Sequence, residues 1–164
     1  MKHPIGQTRN GIAVYVDLIQ SRAAKHIAQQ PHLLGLIAEA LRQTTLRGAN
    51  AMIEHDMGRA IGYNFVVKTA PTDGVFYAQL LREDTYTRFV KNGKPLSTQY
   101  LSMVLHRNSD DSYELNDAWI GRLSPARPGT ADETAESKAY WADHAIILGN
   151  ESLQLRTVTK VCPY

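Results

Sequence analysis

The chain has 164 residues, of which 43% are hydrophobic and 21% are charged. This composition supplies apolar surface for one core, which excludes a globally disordered chain and predicts a single domain over residues 1–164. The formal net charge is only +2 and the basic residues are spread along the sequence, so charge permits nucleic-acid binding without requiring it. No secretory leader and no apolar run of about 18 residues is visible, which predicts a cytoplasmic protein with no membrane contact.

The first third of the chain predicts helices. Residues 1–11 are rich in turn-forming residues and predict a short entry arm. In 12–27 the apolar residues recur at intervals of three and four, which indicates a helix, although the β-branched and aromatic residues at 14–16 favour a strand there. A second helix begins after Pro31 and ends before Gly48. The two helices should form a hairpin whose apolar stripe requires a sheet to cover it.

The middle of the chain predicts strands. Residues 50–60 fit either a short helix or an irregular passage into a sheet. After them the hydrophobic period changes to two, and polar turns separate five strand-like runs, at 63–68, 75–81, 86–90, 97–106 and 113–120. Since the links between these runs are short, an antiparallel meander is the simplest topology.

The last part of the chain predicts a loop, a helix and a hairpin. Prolines exclude a strand in 121–133, a short helix follows to about residue 143, and 144–148 with 153–161 predict a closing hairpin around Gly149 and Asn150. The expected fold is therefore α+β: an N-terminal helical hairpin packed on a twisted antiparallel β-meander, with a short C-terminal helix and the closing hairpin.

Metal and cofactor motifs are absent from the sequence. None of the six histidines has the spacing of a zinc-binding helix, and the single cysteine, Cys162, excludes a cysteine-pair site and an intrachain disulfide. The segment 58–62 has only two glycines and precedes a strand, so it does not fit a nucleotide-binding loop. The sequence predicts neither a metal site nor a cofactor.

The predicted meander carries the first group of candidate site residues. Alternation in the run 97–106 assigns Gln99, Leu101, Met103 and Leu105 to the core face, and Thr98, Tyr100, Ser102 and His106 to the other face. A neighbouring strand could bring Arg88 toward the polar face, with Lys91 and Trp119 nearby. Cations and hydroxyls can hold a phosphate while aromatic rings stack on a base. Such residues are equally ordinary on a solvated sheet face.

Two further groups combine an imidazole with other functional side chains. Trp141 and His144 share a helix face near the helix C-terminus, where the dipole favours a protonated histidine. The alternative is that Trp141 fills the core and His144 ends the helix. The segment 54–56, which contains His55, is followed closely by Arg59, and this set fits acid–base chemistry with anion stabilisation or else a solvated loop.

Four sequence blocks resemble those of a family of small uncharacterised bacterial proteins from mobile-element neighbourhoods. The blocks are Gly58-Arg59-x-Ile61-Gly62-Tyr63, Tyr86-Thr87-Arg88-Phe89-Val90-Lys91, Tyr113-Glu114-Leu115 with Trp119-Ile120-Gly121, and Ser137-x-x-Tyr140-Trp141-x-x-His144-Ala145. More remotely, helices ahead of a meander with these polar residues are similar to the metal-independent ribonuclease folds of barnase, colicin and RelE type. That similarity implies an attack of the RNA 2′-hydroxyl on its own phosphate, with loose counterparts only in Arg88, Thr98 and His144.

Three functions follow as hypotheses. The first is a non-catalytic protein that binds a protein partner as an inhibitor or adaptor of a mobile element. The second is a ribonuclease-like or RNA-binding protein, in which Arg88 and Lys91 hold phosphate, His144 or His55 moves the proton, and Trp119 or Trp141 stacks on a base. The third is a small-molecule binder with a pocket between sheet and helix. The first predicts an exposed apolar patch or an unpaired edge strand, the second a convergent cleft, and the third a cavity of several hundred Å³.

Overall fold

The computed structural model describes residues 1–149 and 151–164 and is α+β, as the sequence predicts. The helices are α1 (Arg22–Gln29), α2 (Leu33–Gln43) and α3 (Ser137–Asp143). In chain order the strands are β1 (Lys2–Gln7), β2 (Ala13–Asp17), β3 (Asn50–Asp56), β4 (Gly62–Asn64), β5 (Val66–Lys68), β6 (Val75–Gln79), β7 (Tyr86–Val90), β8 (Leu96–Thr98), β9 (Tyr100–Arg107), β10 (Tyr113–Ile120) and β11 (His144–Ile147).

The chain divides into two compact units, each made of two chain segments. The first unit comprises Met1–Gly62 and Ser97–Leu123, and the second comprises Tyr63–Leu96 and Ser124–Tyr164. Between the two segments of each unit the chain therefore passes through the other unit, so neither unit is a continuous stretch of sequence. That residues 1–164 unfold as one domain, as the chain length suggests, stays a prediction.

The first unit contains a five-stranded sheet in the order β1-β2-β10-β9-β3. Its strands are antiparallel except for β2 and β10, which are parallel over three residue pairs. The stripe of α2 and alternate positions of the central strands form one buried core, which includes Leu33, Ile37, Leu41, Leu101, Met103, Leu105, Tyr113 and Leu115. The predicted core face of the fourth run is thus confirmed for its three apolar residues, whereas Gln99 lies between β8 and β9 and is only half-buried.

The N-terminal elements differ from the prediction. The expected entry arm is strand β1, and the expected helix 12–27 is strand β2 followed by the shorter helix α1. Val14 and Val16 are buried and two positions apart, so they satisfy a strand period within the same apolar pattern that suggested a helix. The Asp17 carboxylate then accepts hydrogen bonds from the backbone N–H groups of Ile19 and Gln20, and Ser21 caps α1.

The predicted five-strand meander is wrong. Residues 50–56 form β3, and the run 97–106 is broken into β8 and β9. The five predicted strands belong to different sheets, because β9 and β10 join the N-terminal strands while β5, β6 and β7 form another sheet with β11. Short links favour neighbouring strands, but here β2 pairs with β10, β3 with β9, and β11 with β5 and β7, all from distant parts of the chain. The strands β4 and β8 pair as a separate two-stranded ribbon.

The second unit contains a four-stranded sheet in the order β5-β11-β7-β6. Strand β11 lies antiparallel to β5 and parallel to β7, so the closing hairpin predicted for 144–161 does not form. Residues 153–161 instead contain a short 3-10 helix, Leu155–Thr157, a single bridge from Thr159 to Tyr77 of β6, and a single bridge from Leu153 to Leu80. A turn was predicted at Gly149 and Asn150, and Asn150 lies outside the described residues. Both faces of this sheet carry buried apolar clusters.

Candidate functional site

The predicted site residues are divided between the two units. The first unit holds His55, Arg59, Thr98, Tyr100 and Trp119, and the second holds Arg88, Lys91, Trp141 and His144. Within the second unit, Arg88 donates a hydrogen bond to the His144 carbonyl oxygen, and within the first, the Tyr100 N–H donates to Thr98 Oγ1 at 3.2 Å.

Arg88 is a buried cation that donates hydrogen bonds to a hydroxyl group and to a backbone carbonyl group. Its side chain is held on β7 with a residue exposure of 8%, and its Nη1 donates to Thr69 Oγ1 at 2.8 Å and to the His144 carbonyl oxygen at 3.2 Å. Its Nε is buried and has no hydrogen-bond partner among the described residues. No carboxylate of the described residues lies within ion-pair distance of this guanidinium. A burial this complete leaves little of the side chain free to hold a phosphate.

His144 has a defined tautomer. Its Nδ1 lies 2.7 Å from Asp143 Oδ1 and 2.9 Å from the Tyr140 carbonyl oxygen, and its ring stacks on the Tyr140 ring at 3.9 Å between centroids. Since both neighbours of Nδ1 accept, Nδ1 carries the proton, and Nε2 is the basic nitrogen of the neutral ring. Burial by itself would raise the pKa of Asp143, but the hydrogen bond and charge of His144 outweigh it and lower that pKa. An Asp–His pair of this kind can move a proton.

The other two candidates of the second unit have different surroundings. Trp141 is only 4% exposed, and its Nε1 donates to the Pro125 carbonyl oxygen at 3.0 Å, so it fills the core as one of the two alternatives predicted. Lys91 is exposed, and its Nζ lies 5.6 Å from the centre of the Phe76 ring. A cation at this distance interacts with the ring face.

In the first unit, the segment 54–56 is part of a strand, so its side chains alternate between sheet faces. His55 has a buried Nε2 without a hydrogen-bond partner among the described residues. Arg59 forms a bidentate ion pair with Glu39: its Nη1 donates to Oε1 at 2.7 Å and its Nη2 to Oε2 at 2.8 Å. This hydrogen bonding lowers the pKa of Glu39. Arg59 is therefore bound to a carboxylate from outside the segment 54–56, and the charge of His55 also contributes to lowering the pKa of that carboxylate.

Tyr100 and Trp119 lie in a polar–aromatic cluster that sequence reasoning missed. Arg122 lies over the Tyr100 ring, with its guanidinium carbon 4.2 Å from the ring centre, and its carbonyl oxygen accepts from Trp119 Nε1 at 3.2 Å. The Arg122 guanidinium also donates to Glu54 Oε1 at 2.7 Å. This hydrogen bond is the main reason that the pKa of Glu54 is lowered. Glu54 and Arg122 are 68 positions apart, so no local sequence signal could have paired them.

The two edges of the five-stranded sheet are very different. Strand β1 contains Lys2, Pro4 and Gly6, and its register with β2 shifts between Pro4 and Gly6. Lysine, proline and a bulge are features that prevent a further strand from pairing. Strand β3 has seven residues, unbroken register with β9 over its whole length, and neither proline, glycine nor lysine. One edge is therefore blunted and the other is not.

The backbone of β3 has a free side. The Arg107 N–H donates to the Ala49 carbonyl and the Met57 N–H to the Gln99 carbonyl, so the odd-numbered residues of β3 form the hydrogen-bonded pairs with β9. The N–H and C=O groups of Asn50, Met52, Glu54 and Asp56 therefore face away from β9. No described residue makes a backbone hydrogen bond to this side of β3. These groups form a row available to an added strand.

The sheet of the second unit has less unpaired edge to which another strand could be added. Strand β6 is bridged at Tyr77 to Thr159, and Leu80, which follows the strand, is bridged to Leu153, so the C-terminal segment partly covers this edge. The opposite edge, β5, has only three residues. Short or covered edges are the usual protection against unwanted pairing. Among the described strands, β3 is the long edge without such protection.

A small cavity of about 100 Å³ lies in the second unit, lined by Asp84, Thr85, Tyr86, Pro128, Gly129, Pro163 and Tyr164. Pockets for drug-sized ligands usually enclose roughly 300–1,000 Å³, so this cavity gives no support to a small-molecule site in that unit. Across residues 1–149 and 151–164, no group of three or more side chains is arranged to hold a metal ion. Within the same residues, no helix is long and apolar enough to span a membrane.

Comparisons of the chain with protein-family models, with curated proteins and with solved structures found no match.

Proposed function

We propose that this protein binds a partner by accepting an extended segment of that partner as an additional strand along β3. The observation that carries the proposal is the unpaired backbone row of β3, set against the blunted edge at β1. Addition of a strand to an exposed sheet edge is a recurring mode of peptide recognition, in which main-chain hydrogen bonds give affinity and side chains give specificity. The role is non-catalytic, as expected of an inhibitor or adaptor.

The side chains of β3 support the same role. Ala51 and Ile53 pack against the core of the first unit but are only partly buried, and Met52 on the other face is 65% exposed. An added strand would cover these three side chains on both faces, because residues of paired strands stand next to each other. The apolar contact adds to the backbone hydrogen bonds. We place this role in a bacterial mobile element on the strength of the sequence resemblance, and in the cytoplasm as predicted from the sequence.

Proline at Met52 should abolish partner binding while leaving the fold intact. The Met52 N–H faces away from β9, so proline removes a donor of the open edge without removing a hydrogen bond of the sheet. Peptides selected from a random display library on the wild-type protein should bind Met52→Leu within about twofold and bind Met52→Pro at least tenfold more weakly. Circular dichroism and thermal unfolding check that both variants are folded.

Hydrogen exchange gives an independent readout of the same experiment. In the free protein the amides of Met52 and Glu54 should exchange much faster than those of Ala51 and Ile53, and a selected peptide should slow the first pair. Selected peptides that bind Met52→Pro as well as Met52→Leu, or that leave the Met52 and Glu54 amides unprotected, would show that the partner site lies elsewhere.

A second candidate function is metal-independent cleavage of RNA, which the Asp143–His144 hydrogen bond favours. In this alternative, His144 Nε2 takes the proton of a 2′-hydroxyl, whose oxygen attacks the adjacent phosphorus. The bond from phosphorus to the 5′-oxygen of the next nucleotide breaks, a 2′,3′-cyclic phosphate forms, and the departing 5′-oxygen takes a proton from water. Arg88 would act through its hydrogen bond to the His144 carbonyl rather than on phosphate, since it is buried. Lys91, which belongs to the same unit as His144, keeps its predicted role only within this alternative.

The RNA alternative predicts cleavage of labelled single-stranded RNA in EDTA. His144→Gln should reduce the rate by about 10²–10⁴-fold, because the basic nitrogen is lost, and Asp143→Asn should reduce it less. His3→Gln serves as the matched control, because it makes the same substitution at an exposed histidine of the first unit. Intact RNA with the wild-type protein, or equal cleavage by wild type and His144→Gln, would exclude this function for that substrate.

A further inference from the structure

The charges along the free side of β3 are not balanced. Of the acids near its C-terminal end, Glu39 pairs with Arg59 and Glu54 pairs with Arg122. Asp56 is exposed and receives only neutral donors, the Gly58 N–H at 2.8 Å and Gln99 Nε2 at 2.9 Å. No cation of the described residues lies within ion-pair distance of Asp56. The free edge therefore ends in a carboxylate without a cationic partner.

Asp56 and Met52 are placed so that both can contact side chains of one added partner strand. Both are among the residues whose backbone faces outward, and both side chains lie on the sheet face opposite the α2 core, because Ala51 and Ile53 occupy the core face. Side chains of directly opposite residues in an antiparallel pair are about 4.5–5.5 Å apart at their β-carbons. A lysine or arginine opposite Asp56 can reach its carboxylate, and an apolar side chain opposite Met52 can cover its exposed surface.

The intervening position has a different requirement. Glu54 lies between Met52 and Asp56 on this face, and its carboxylate is already engaged by Arg122 and by the Leu123 N–H. A charged partner residue opposite Glu54 would meet both signs at once, so an uncharged polar residue fits best there.

We propose that the segment bound along β3 is a basic, amphipathic extended peptide of a partner protein. It runs antiparallel to β3, with a lysine or arginine opposite Asp56 and an apolar residue four positions later opposite Met52. This inference rests on the proposed strand addition and specifies its partner. Because β3 runs from Asn50 to Asp56, an antiparallel partner presents its cation first and its apolar residue second.

Three short peptides test the inference. Each is acetylated and amidated, has nine residues, and has alternating valine and threonine as its background. The first has lysine at its third position and leucine at its seventh, the second has glutamate in place of the lysine, and the third has the lysine and leucine exchanged. Dissociation constants come from chemical-shift titrations of full-length protein at low salt, with amide exchange of Met52 and Glu54 measured in the same samples.

The lysine peptide should bind about three- to tenfold more tightly than the glutamate peptide and than the exchanged peptide. In Asp56→Asn, which keeps the shape and the acceptor oxygen, the difference between lysine and glutamate should fall to less than about twofold. High salt should have the same effect on the wild type, since the pair is exposed. Asn50→Asp is a matched control that adds a carboxylate at the far end of the edge, where it should not restore the preference in an Asn50→Asp, Asp56→Asn double variant.

The outcomes separate this inference from the proposed function. If all peptides bind, protect the Met52 and Glu54 amides and show no preference for lysine in the wild type, strand addition stands and the basic partner is wrong. If no peptide shifts or protects these amides, strand addition itself fails. If the free protein is already dimeric, with these amides protected and recovering exchange on dilution, the occupant is a second copy of the chain and the basic partner is again wrong.

Discussion

Replacing Phe89 with alanine should destabilise the second unit by about 3–5 kcal/mol, the range for truncation of a fully buried phenylalanine. Phe89 is 0% exposed and its ring stacks on Phe76 with 5.4 Å between centroids. Alanine removes the buried ring and leaves a cavity between β6 and β7. The change should be measured by urea unfolding, followed by Trp141 fluorescence in a Trp119→Phe background, so that the signal comes from the second unit alone.

Phe65→Ala is the matched control for this prediction. Phe65 belongs to the same unit and undergoes the same substitution, but its side chain is about half exposed, so it should cost less than about 1 kcal/mol. Similar losses for Phe65→Ala and Phe89→Ala would contradict the described core.

Replacing Leu101 with alanine should destabilise the first unit by about 2–5 kcal/mol. Leu101 is 0% exposed and lies on β9, which is flanked by β10 and β3 and packs against the α2 stripe. The measurement is urea unfolding followed by Trp119 fluorescence in a Trp141→Phe background. Leu18→Ala, an exposed leucine of the same unit, should change the free energy of unfolding by less than about 1 kcal/mol.

Together these variants test whether residues 1–164 form a single domain. If the chain unfolds in one cooperative step, Phe89→Ala should lower the midpoint reported by Trp119 as much as that reported by Trp141. If the units unfold independently, each substitution should affect only the tryptophan of its own unit. The two tryptophans make this comparison direct, because each unit contains one of them.

The sequence predicted the α+β class and those elements whose signal is local. Helix α2 follows Pro31 as expected, and the apolar positions of β9 lie in the core because alternation in a strand is a local property. Strand order was not predictable from spacing, since β2, β3 and β11 pair with strands far away in the sequence. Where 12–17 satisfied helical and strand periods together, tertiary pairing with β10 decided the outcome.

The candidate site residues also divide into those with a local sequence signal and those that depend on tertiary structure. Asp143 and His144 are adjacent in sequence, so their hydrogen bond is a local feature, although the sequence analysis named only the histidine. The burial of Arg88 depends on the packing of a whole sheet, and alternation along β7 could not reveal it. The free side of β3 follows from strand order alone, which is why the sequence of 50–60 suggested acid–base chemistry at His55 and Arg59 but no open strand edge.

The strand order of the first unit also bears on events during synthesis. Strand β3 ends at Asp56, but its only partner, β9, begins at Tyr100, and β9 joins the N-terminal strands only through β10, which ends at Ile120. At typical rates of translation, the roughly 60 residues that follow β3 take on the order of 3–12 s to be added. Until β9 has been synthesised, β3 has two unpaired edges on the nascent chain. The rate of translation therefore determines when the strand can acquire a single free side, and a chain released before Tyr100 would expose both.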